Sequence, residues 1–356
     1  MILNTNKFTK ALRNISFIFI SMLVAMMIGS VFLVIQGENP FEVYYYLFID
    51  PFTMSTGWIK VVSKAVPLMF TGLAAALAFR CGIFNIGIEG QLYMGALAAA
   101  VVGFSLNNIP KLVHIALAVL AAASVGGLWA LIAGWLKVKL KVHEVISTIM
   151  LNYIATNAVT YLLISFFRAK GPTPKTHDVA ESARFMQFAP PEHLNTGVFL
   201  ALILVVVIYI VVKYLPLGWK IDSSGKNMEA TKFSGINSKI IILIVMFLSG
   251  AIASMGGVER VLGAYGYMEL GFSPGYGFDG LAVAIIARNN PVGVVFVALL
   301  FGLMYYGGIN INMMTNVTSE WVLLLIAIML ILVAAQSEMF SKAIERAKLF
   351  LKGGRT

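Results

Sequence analysis

Long apolar runs constrain this chain more than any other feature of its sequence. Near-continuous stretches of about 18 to 25 apolar residues recur along it, the length of helix that crosses a bilayer. Only 12% of the residues are charged, which leaves too little polar surface for a soluble fold. Backbone groups left unpaired in lipid cost several kcal/mol each. The sequence therefore predicts an all-α polytopic membrane protein.

The apolar runs predict about ten transmembrane helices. The first run is too long for the core of a signal peptide and lacks a small-residue cleavage site, so we expect it to be retained. No low-complexity linker separates a second domain, so residues 1–356 are expected to form one membrane domain. The predicted spans are residues 15–35, 61–79, 84–104, 112–136, 144–166, 197–214, 240–258, 277–287, 292–310 and 320–335.

Basic residues are divided unevenly between the two sides of this topology. With the N-terminus inside, 18 of the 26 Lys and Arg residues fall on the inner side. Acidic residues such as Glu42, Asp50 and Asp178 fall on the outer side. By the positive-inside rule, the N-terminal segment 1–14 and the tail 336–356 are both expected in the cytoplasm.

The same bias accounts for the net charge of +10, which could otherwise suggest a nucleic-acid partner. A nucleic-acid interface gathers its basic residues on one face among stacking aromatics, whereas here they lie in short loops between apolar runs. Cys81 is the single cysteine and the 4 histidines are dispersed, so no metal-ligand set is visible. We predict neither a nucleic-acid partner nor a metal site.

A short motif occurs twice, at residues 87–90 (GIEG) and residues 277–280 (GFDG). Each copy opens a predicted span and is followed by an Ala-rich apolar run. An odd number of spans separates the two copies, so the second would be inverted relative to the first. Inverted repeats with glycine-interrupted spans at corresponding positions indicate a transport pathway. The sequence therefore predicts an inverted internal repeat.

Polar residues near the two motifs are the candidates for that pathway. A carboxylate inside a membrane is costly unless it faces a cavity or a partner, which draws attention to Glu89 and Asp279. Asn85, Gln91 and Asn152 add neutral polar groups at similar depth. We interpret these residues as lining or bracing the pathway. Alternatively, the two carboxylates are structural caps at the positive ends of broken helices.

The inner segment 215–239 predicts a short cytoplasmic helix. Asn227 can cap its N-terminus, Glu229 suits its first turn, and Gly235 is placed to end it. A helix of about two turns is unstable alone, so it should lie on the membrane surface or on a partner protein. A solvated connector is the alternative.

Several segments in combination resemble a known family. The spacing of Gly225, Asn227, Ala230 and Gly235 is similar to the coupling loop of ATP-binding-cassette importer permeases of the sugar, nucleoside and branched-chain amino acid group. Thr231 stands where many members carry Ala. Further stretches similar to that group's signature are residues 71–91, 144–154 and 277–284.

The resemblance implies a multi-pass permease subunit in a bacterial cell membrane. Its implied partners are a cytoplasmic ATP-binding-cassette ATPase, a second permease subunit and an external substrate-binding protein. The residues implied to couple to the ATPase are Gly225, Asn227, Glu229, Ala230 and Gly235. The chain has no GxxxxGK[ST] pattern and hence no P-loop. We therefore expect a transport subunit that is not an enzyme, has no cofactor and relies on ATP hydrolysis by its partner.

The nucleoside members are the ones that residues 144–153 and the long outer loop resemble most. A nucleoside is therefore the expected substrate, followed by a simple sugar such as ribose and then a branched-chain amino acid. From a different class, an ion-driven secondary transporter working alone could use Glu89 and Asp279 to bind coupling ions. The predicted docking helix argues against that alternative.

Overall fold

Helices make up the regular secondary structure of the chain. The computed structural model describes residues 5–106 and 108–335, and within those ranges β pairing is limited to isolated bridges. The all-α prediction is confirmed. The predicted cytoplasmic tail, 336–356, lies outside the described residues, as do residues 1–4 of the predicted N-terminal segment.

The helices are numbered here in chain order. They are α1 (Thr5–Ile35), α2 (Pro40–Tyr44), α3 (Asp50–Thr53), α4 (Gly57–Arg80), α5 (Ile88–Ser105), α6 (Lys111–Trp135), α7 (Glu144–Leu162), α8 (Gly197–Tyr214), α9 (Pro216–Lys226), α10 (Met228–Phe233), α11 (Ser238–Val258), α12 (Tyr276–Ile286), α13 (Pro291–Met314) and α14 (Trp321–Ala335). Wider π-helical turns follow α2, α6, α7 and α11, at Tyr45–Ile49, Leu136–Leu140, Leu163–Phe167 and Glu259–Tyr265.

Seven of the described helices are long and apolar enough to cross a membrane. They are α4, α5, α6, α7, α8, α11 and α13, with α6, α7 and α11 counted through their π-helical turns. Three shorter apolar helices, Phe19–Ile35, α12 and α14, lie at the positions of the remaining predicted spans. A polytopic membrane architecture is thus confirmed, while the count of ten spans stays a prediction.

The chain forms two compact units, one of residues 1–53 and 304–356 and the other of residues 54–303. In the first, Asn310 donates a side-chain hydrogen bond to Asp50 at 2.9 Å. A Cβ atom added to Gly29 would lie 2.7 Å from Leu325 Cδ2, so α1 and α14 pack closely there. The sequence-based expectation of one domain over residues 1–356 stays a prediction.

Small residues let the helices of the second unit approach one another closely. A Cβ atom on Gly250 of α11 would collide with the carbonyl oxygen of Gly126 on α6. One on Gly257 would lie 2.6 Å from the carbonyl oxygen of Leu92 on α5. Close backbone approach of this kind is how helices associate where lipid supplies no hydrophobic driving force. At these glycines the backbone of α11 therefore packs directly against α5 and α6.

The segment between α7 and α8 is an ordered, turn-rich loop. Its backbone is joined to the segment after α11: the Thr176 N–H donates to the Met268 carbonyl and the Val179 N–H to the Gly266 carbonyl, both at 2.8 Å. The Ala180 N–H donates to the carbonyl of Gly103 at the end of α5, at 2.9 Å. Backbone pairing thus fixes the loop against the helix ends beneath it.

Candidate functional site

A sharp break joins α4 to α5, and we call residues 81–87 the elbow. Gly82 has a φ of +72°, in the left-handed region that glycine adopts without strain. The Gly82 N–H donates to the Phe79 carbonyl at 3.0 Å and the Ile83 N–H to the Ala78 carbonyl at 3.1 Å. This pair of bonds is the Schellman motif, which satisfies the last carbonyls of a helix. The chain therefore leaves α4 abruptly and re-enters helix at Ile88.

Two buried side-chain amides hold the elbow from within. Asn85 Nδ2 donates to Gln91 Oε1 at 3.1 Å, and Gln91 Nε2 donates back to Asn85 Oδ1 at 3.0 Å. Asn85 Nδ2 also donates to Ser249 Oγ at 2.9 Å, and that hydroxyl donates to the carbonyl of Ala74 at 2.9 Å. Asn85 and Gln91 are almost completely buried. Their polar groups are satisfied by each other, by α11 and by α4.

A third amide, Asn152 on α7, holds the start of α5. Its Oδ1 accepts from the Gly90 N–H at 2.8 Å, and its Nδ2 donates to the Ile86 carbonyl at 2.8 Å. Gly90 belongs to the first turn of α5, whose N–H groups have no partner within the helix. Asn85, Gln91 and Asn152 are therefore brought together around one helix start, in an arrangement that suits bracing.

Glu89 connects the two copies of the repeated motif. Its side chain is 6% exposed, and Oε2 accepts from the N–H of Gly277, in the first turn of α12, at 2.5 Å. A Cβ atom on Gly277 would collide with the Glu89 backbone nitrogen, so only glycine permits this approach. The carboxylate lies at the N-terminal ends of two helices, where negative charge is stabilised. Glu89 thus joins α5 to α12.

Asp279 occupies a different environment from Glu89. It lies in the first turn of α12, is partly exposed, and its N–H donates to the Gly275 carbonyl at 3.0 Å. The neighbouring Gly280 packs on Thr71 of α4, whose Oγ1 would lie 2.5 Å from a Cβ atom added there. The two predicted carboxylates therefore lie in similar sequence motifs, but Glu89 is buried and Asp279 is partly exposed.

The predicted caps of the inner-loop helix are confirmed. Asn227 Oδ1 accepts from the N–H groups of Glu229 and Ala230, both at 3.0 Å. At the other end Gly235 has a φ of +77°, and the Ile236 N–H donates to the Thr231 carbonyl at 3.3 Å. These bonds begin and end α10. Sequence analysis missed the preceding α9, although Pro216 is its first residue, a position that favours proline.

The end of α9 packs directly on the elbow. A Cβ atom on Gly82 would lie 3.1 Å from the Gly225 carbonyl oxygen, and one on Gly225 would collide with the Arg80 carbonyl oxygen. A side chain at Gly225 would collide with backbone, and one at Gly82 would be crowded against the Gly225 carbonyl. Gly225, one of the predicted coupling residues, therefore contacts the same elbow that Asn85, Gln91 and Asn152 hold on its other side.

An ion pair that was not predicted from the sequence reinforces the contact between α9 and the elbow. Arg80 Nε donates to Asp222 Oδ1 at 2.9 Å, and Nη2 donates to Oδ2 at 2.6 Å. The remaining Nη1 donates to the Asn289 carbonyl, just beyond α12, at 3.3 Å. Fork-shaped pairing of this kind fixes geometry as well as charge. Arg80 thus joins the ends of α4, α9 and α12.

A second ion pair that was not predicted lies directly after α11. Its members, Glu259 and Arg260, are almost fully buried. Arg260 donates to both carboxylate oxygens, at 2.6 and 2.8 Å, and to the Ser63 carbonyl at 2.9 Å. Asn195 Nδ2 donates to Glu259 at 2.7 Å. Adjacent opposite charges at the end of an apolar run were the only sequence signal. The pair joins α4, α11 and the loop before α8.

Helices broken at their starts, the buried amides that brace them and the capped inner loop packed against them together make up the candidate site. Comparison with known proteins identifies the family. Residues 57–334 match the family described as branched-chain amino acid transport system / permease component, and the chain belongs to it. It is a permease of ATP-binding-cassette transporters, without an ATPase site of its own. Such permeases work with ATPase and substrate-binding partners.

Several relatives are similar over most of their length. A guanosine ABC transporter permease of Bacillus subtilis is 34% identical over 89% of this chain and 92% of its own. A glucose ABC transporter permease of Haloferax volcanii is 32% identical over 91% and 87%. A nucleoside ABC transporter permease of Lactococcus lactis is 31% identical over 81% and 82%. No solved structure matches at a significant level.

Two asparagines on α7 test the bracing role of the amides. Asn152→Ala leaves the Gly90 N–H and the Ile86 carbonyl buried without a partner, and each such group costs about 1–3 kcal/mol. Asn157→Ala, on the exposed side of the same helix, should change stability by less than about 0.5 kcal/mol. The measurement is unfolding of the purified protein in detergent. Equal effects of the two substitutions would contradict the bracing role of Asn152.

Proposed function

We propose that this chain is the membrane-spanning subunit of an ATP-binding-cassette importer that translocates a nucleoside delivered by an external binding protein. A cytoplasmic ATPase hydrolyses the ATP, and a second permease subunit completes the passage through the lipid. The observation that carries this proposal is the capped α9–α10 loop packed on the elbow. Family membership favours this ATP-driven mechanism over the ion-driven alternative.

The α10 helix has the features of a docking site for the ATPase. It is 6 residues long, too short to be stable alone, and its caps keep it formed. Phe233 at its end is 92% exposed, whereas Thr231 is 4% exposed and faces the rest of the chain. An exposed aromatic on a short helix suits insertion into a groove of a partner protein. The Thr231 hydroxyl donates to the Asn227 carbonyl at 2.7 Å. Thr231, which stands where many family members carry Ala, is therefore compatible with the α10 helix.

Force from the ATPase would reach the pathway through contacts within residues 54–303. Movement of α10 carries α9, whose Gly225 contacts the elbow and whose Asp222 holds Arg80. The elbow positions the start of α5, and Glu89 at that start holds α12. The coupling residues Gly225, Asn227, Glu229, Ala230 and Gly235 therefore act on Asn85, Glu89, Gln91, Asn152 and Asp279 without touching most of them.

The proposed topology has ten spans, an inverted repeat and both termini in the cytoplasm. The three shorter apolar helices at the expected positions support the count. The excess of basic residues on the side of α9 and α10 supports the orientation. The two repeated motifs, at the first turns of α5 and α12, are consistent with the repeat. In this orientation α10 lies on the cytoplasmic side, where ATP is available to the ATPase.

A nucleoside is favoured as substrate because two relatives of this chain are named for guanosine and nucleoside transport. The glucose permease of Haloferax volcanii keeps a simple sugar as the second candidate. The family description leaves a branched-chain amino acid as the third. A ribonucleoside contains a ribose ring, so a passage for nucleosides would suit ribose in part.

Docking on α10 is tested by Phe233→Asp, which places a charge where an apolar side chain would be buried in the ATPase. Loss of a central aromatic contact should weaken ATPase binding by at least about tenfold. The readout is co-purification of the ATPase with the permease from detergent. Phe188→Asp, at an exposed aromatic on the opposite proposed side, is the matched control. Normal co-purification with Phe233→Asp would show that the ATPase docks elsewhere.

Orientation is tested by cysteines introduced at Asp178 and Lys226, both exposed. Burial raises the pKa of the native Cys81 thiol to about 12, so this residue stays protonated and unreactive at neutral pH. An impermeant thiol reagent added to intact cells should label Asp178→Cys alone. Lys226→Cys should react only after the membrane is opened. Labelling of both from outside would reject the proposed orientation.

Substrate class is tested by uptake of radiolabelled guanosine, adenosine, ribose, glucose and leucine into cells with and without this gene. We expect deletion to abolish uptake of the nucleosides, because the nucleoside permeases are similar to this chain over more than four-fifths of its length. Complementation by the intact gene is the control. Loss of sugar or leucine uptake with both nucleosides unaffected would overturn the substrate while leaving the permease assignment standing.

A further inference from the structure

One face of α7 is exposed within this chain and carries polar groups at membrane depth. The exposed residues recur at helical spacing and include Ile146, Met150, Tyr153, Ile154, Asn157 and Tyr161. Tyr153 is 64% exposed and Tyr161 63% exposed. The opposite face of the same helix carries Asn152, which holds the elbow. Helix α7 therefore carries the buried Asn152 on one face and exposed polar side chains on the opposite face.

Two of the polar residues on this face, Tyr153 and Asn157, lie near the middle of the span. With a rise of about 1.5 Å per residue, Asn157 lies about 2 Å and Tyr153 about 4 Å from the midpoint of Glu144–Phe167. The hydrocarbon core is about 30 Å thick. Tyrosines that anchor helices in the headgroup region lie near the two ends of a span. Tyr153 is too deep to be such an anchor.

The neighbouring spans differ from α7 at this depth. The exposed residues in the middle of α8 include Ile203, Val206 and Val207, and those of α6 include Leu120 and Leu128. Ser124 is the polar exception on α6. Such faces suit lipid, whereas amide and phenol groups within spans face a bundle interior or a water-filled cavity. The exposed face of α7 differs from them in carrying Tyr153 and Asn157 among its apolar residues at mid-depth.

From this placement we infer that Tyr153, Asn157 and Tyr161 form one wall of the substrate passage and contact an uncharged nucleoside as it crosses. The inference rests on the proposed function, and the second permease subunit would supply the opposite wall. Phenol rings stack on a base, and this interaction tolerates different bases. The Asn157 amide offers both donors and an acceptor to a base edge; one N–H bonds the Tyr153 carbonyl at 2.7 Å.

The charge of α7 supports an uncharged substrate. Glu144 is the single charged residue between 144 and 167, and it lies at the inner end. No Lys or Arg on this helix could hold a phosphate in the middle of the membrane. A nucleotide would lose its hydration there without gaining a partner. The wall thus favours the nucleoside over its phosphate esters.

Cysteine accessibility in the assembled importer tests the wall directly. Single substitutions Tyr153→Cys and Asn157→Cys are compared with Val206→Cys, at mid-depth on the exposed face of α8. A small charged thiol reagent should label both α7 cysteines at least about tenfold faster, because the reactive thiolate forms in water and not in hydrocarbon. Excess guanosine should slow this labelling. Labelling reports access even in a variant that transports poorly.

Two outcomes would count against the wall, and a third would change its cargo. Equal rates at Asn157→Cys and Val206→Cys would mean that the face is covered by lipid. No labelling, with disulfide cross-linking between permease subunits, would mean a sealed interface. Either result with intact guanosine uptake would reject the wall and leave the proposed function standing. Fast labelling that is slowed by ribose or leucine but not by guanosine would confirm the passage and overturn the nucleoside as its cargo.

Discussion

Contact between two glycine backbones, Gly82 at the elbow and Gly225 at the end of α9, is the constraint on which the proposed mechanism depends. A side chain at Gly225 would collide with backbone and one at Gly82 would be crowded, and the Arg80–Asp222 pair holds the two segments in register. Surface ion pairs alone contribute little, but this one adds a fork-shaped geometry to close backbone packing. The inner loop and the elbow are therefore expected to move as one body.

The elbow can transmit movement because its own polar groups are satisfied. Asn85 and Gln91 pair with each other, Asn152 pairs with the backbone of Ile86 and Gly90, and Glu89 pairs with Gly277. An unpaired polar group in a membrane interior costs several kcal/mol, so these bonds make the broken helix start stable. Different residues would thus brace the elbow and line the passage. On α7, these two sets of residues lie on opposite faces of the helix.

Features that depend on local chemistry were predictable from the sequence. Apolar runs located the spans, and Asn227 and Gly235 marked the ends of α10, because caps depend on residues a few positions away. The Arg80–Asp222 pair joins residues 142 positions apart, and nothing local specifies it. Glu259 and Arg260 are neighbours in the sequence, but their bonds to Asn195 and Ser63 depend on how distant segments pack. The polarity of Asn152 and Asn157 was visible in the sequence, but which one faces outward depends on helix packing.

Electron cryomicroscopy of the permease with its ATPase, without nucleotide and with ATP bound, tests the central claim most directly. We expect the Gly82–Gly225 contact and the Arg80–Asp222 pair to persist in both states. The first turns of α5 and α12 should shift together with α9 and α10. Displacement of α9 and α10 with the ATPase, while the elbow and both first turns stay in place, would contradict it.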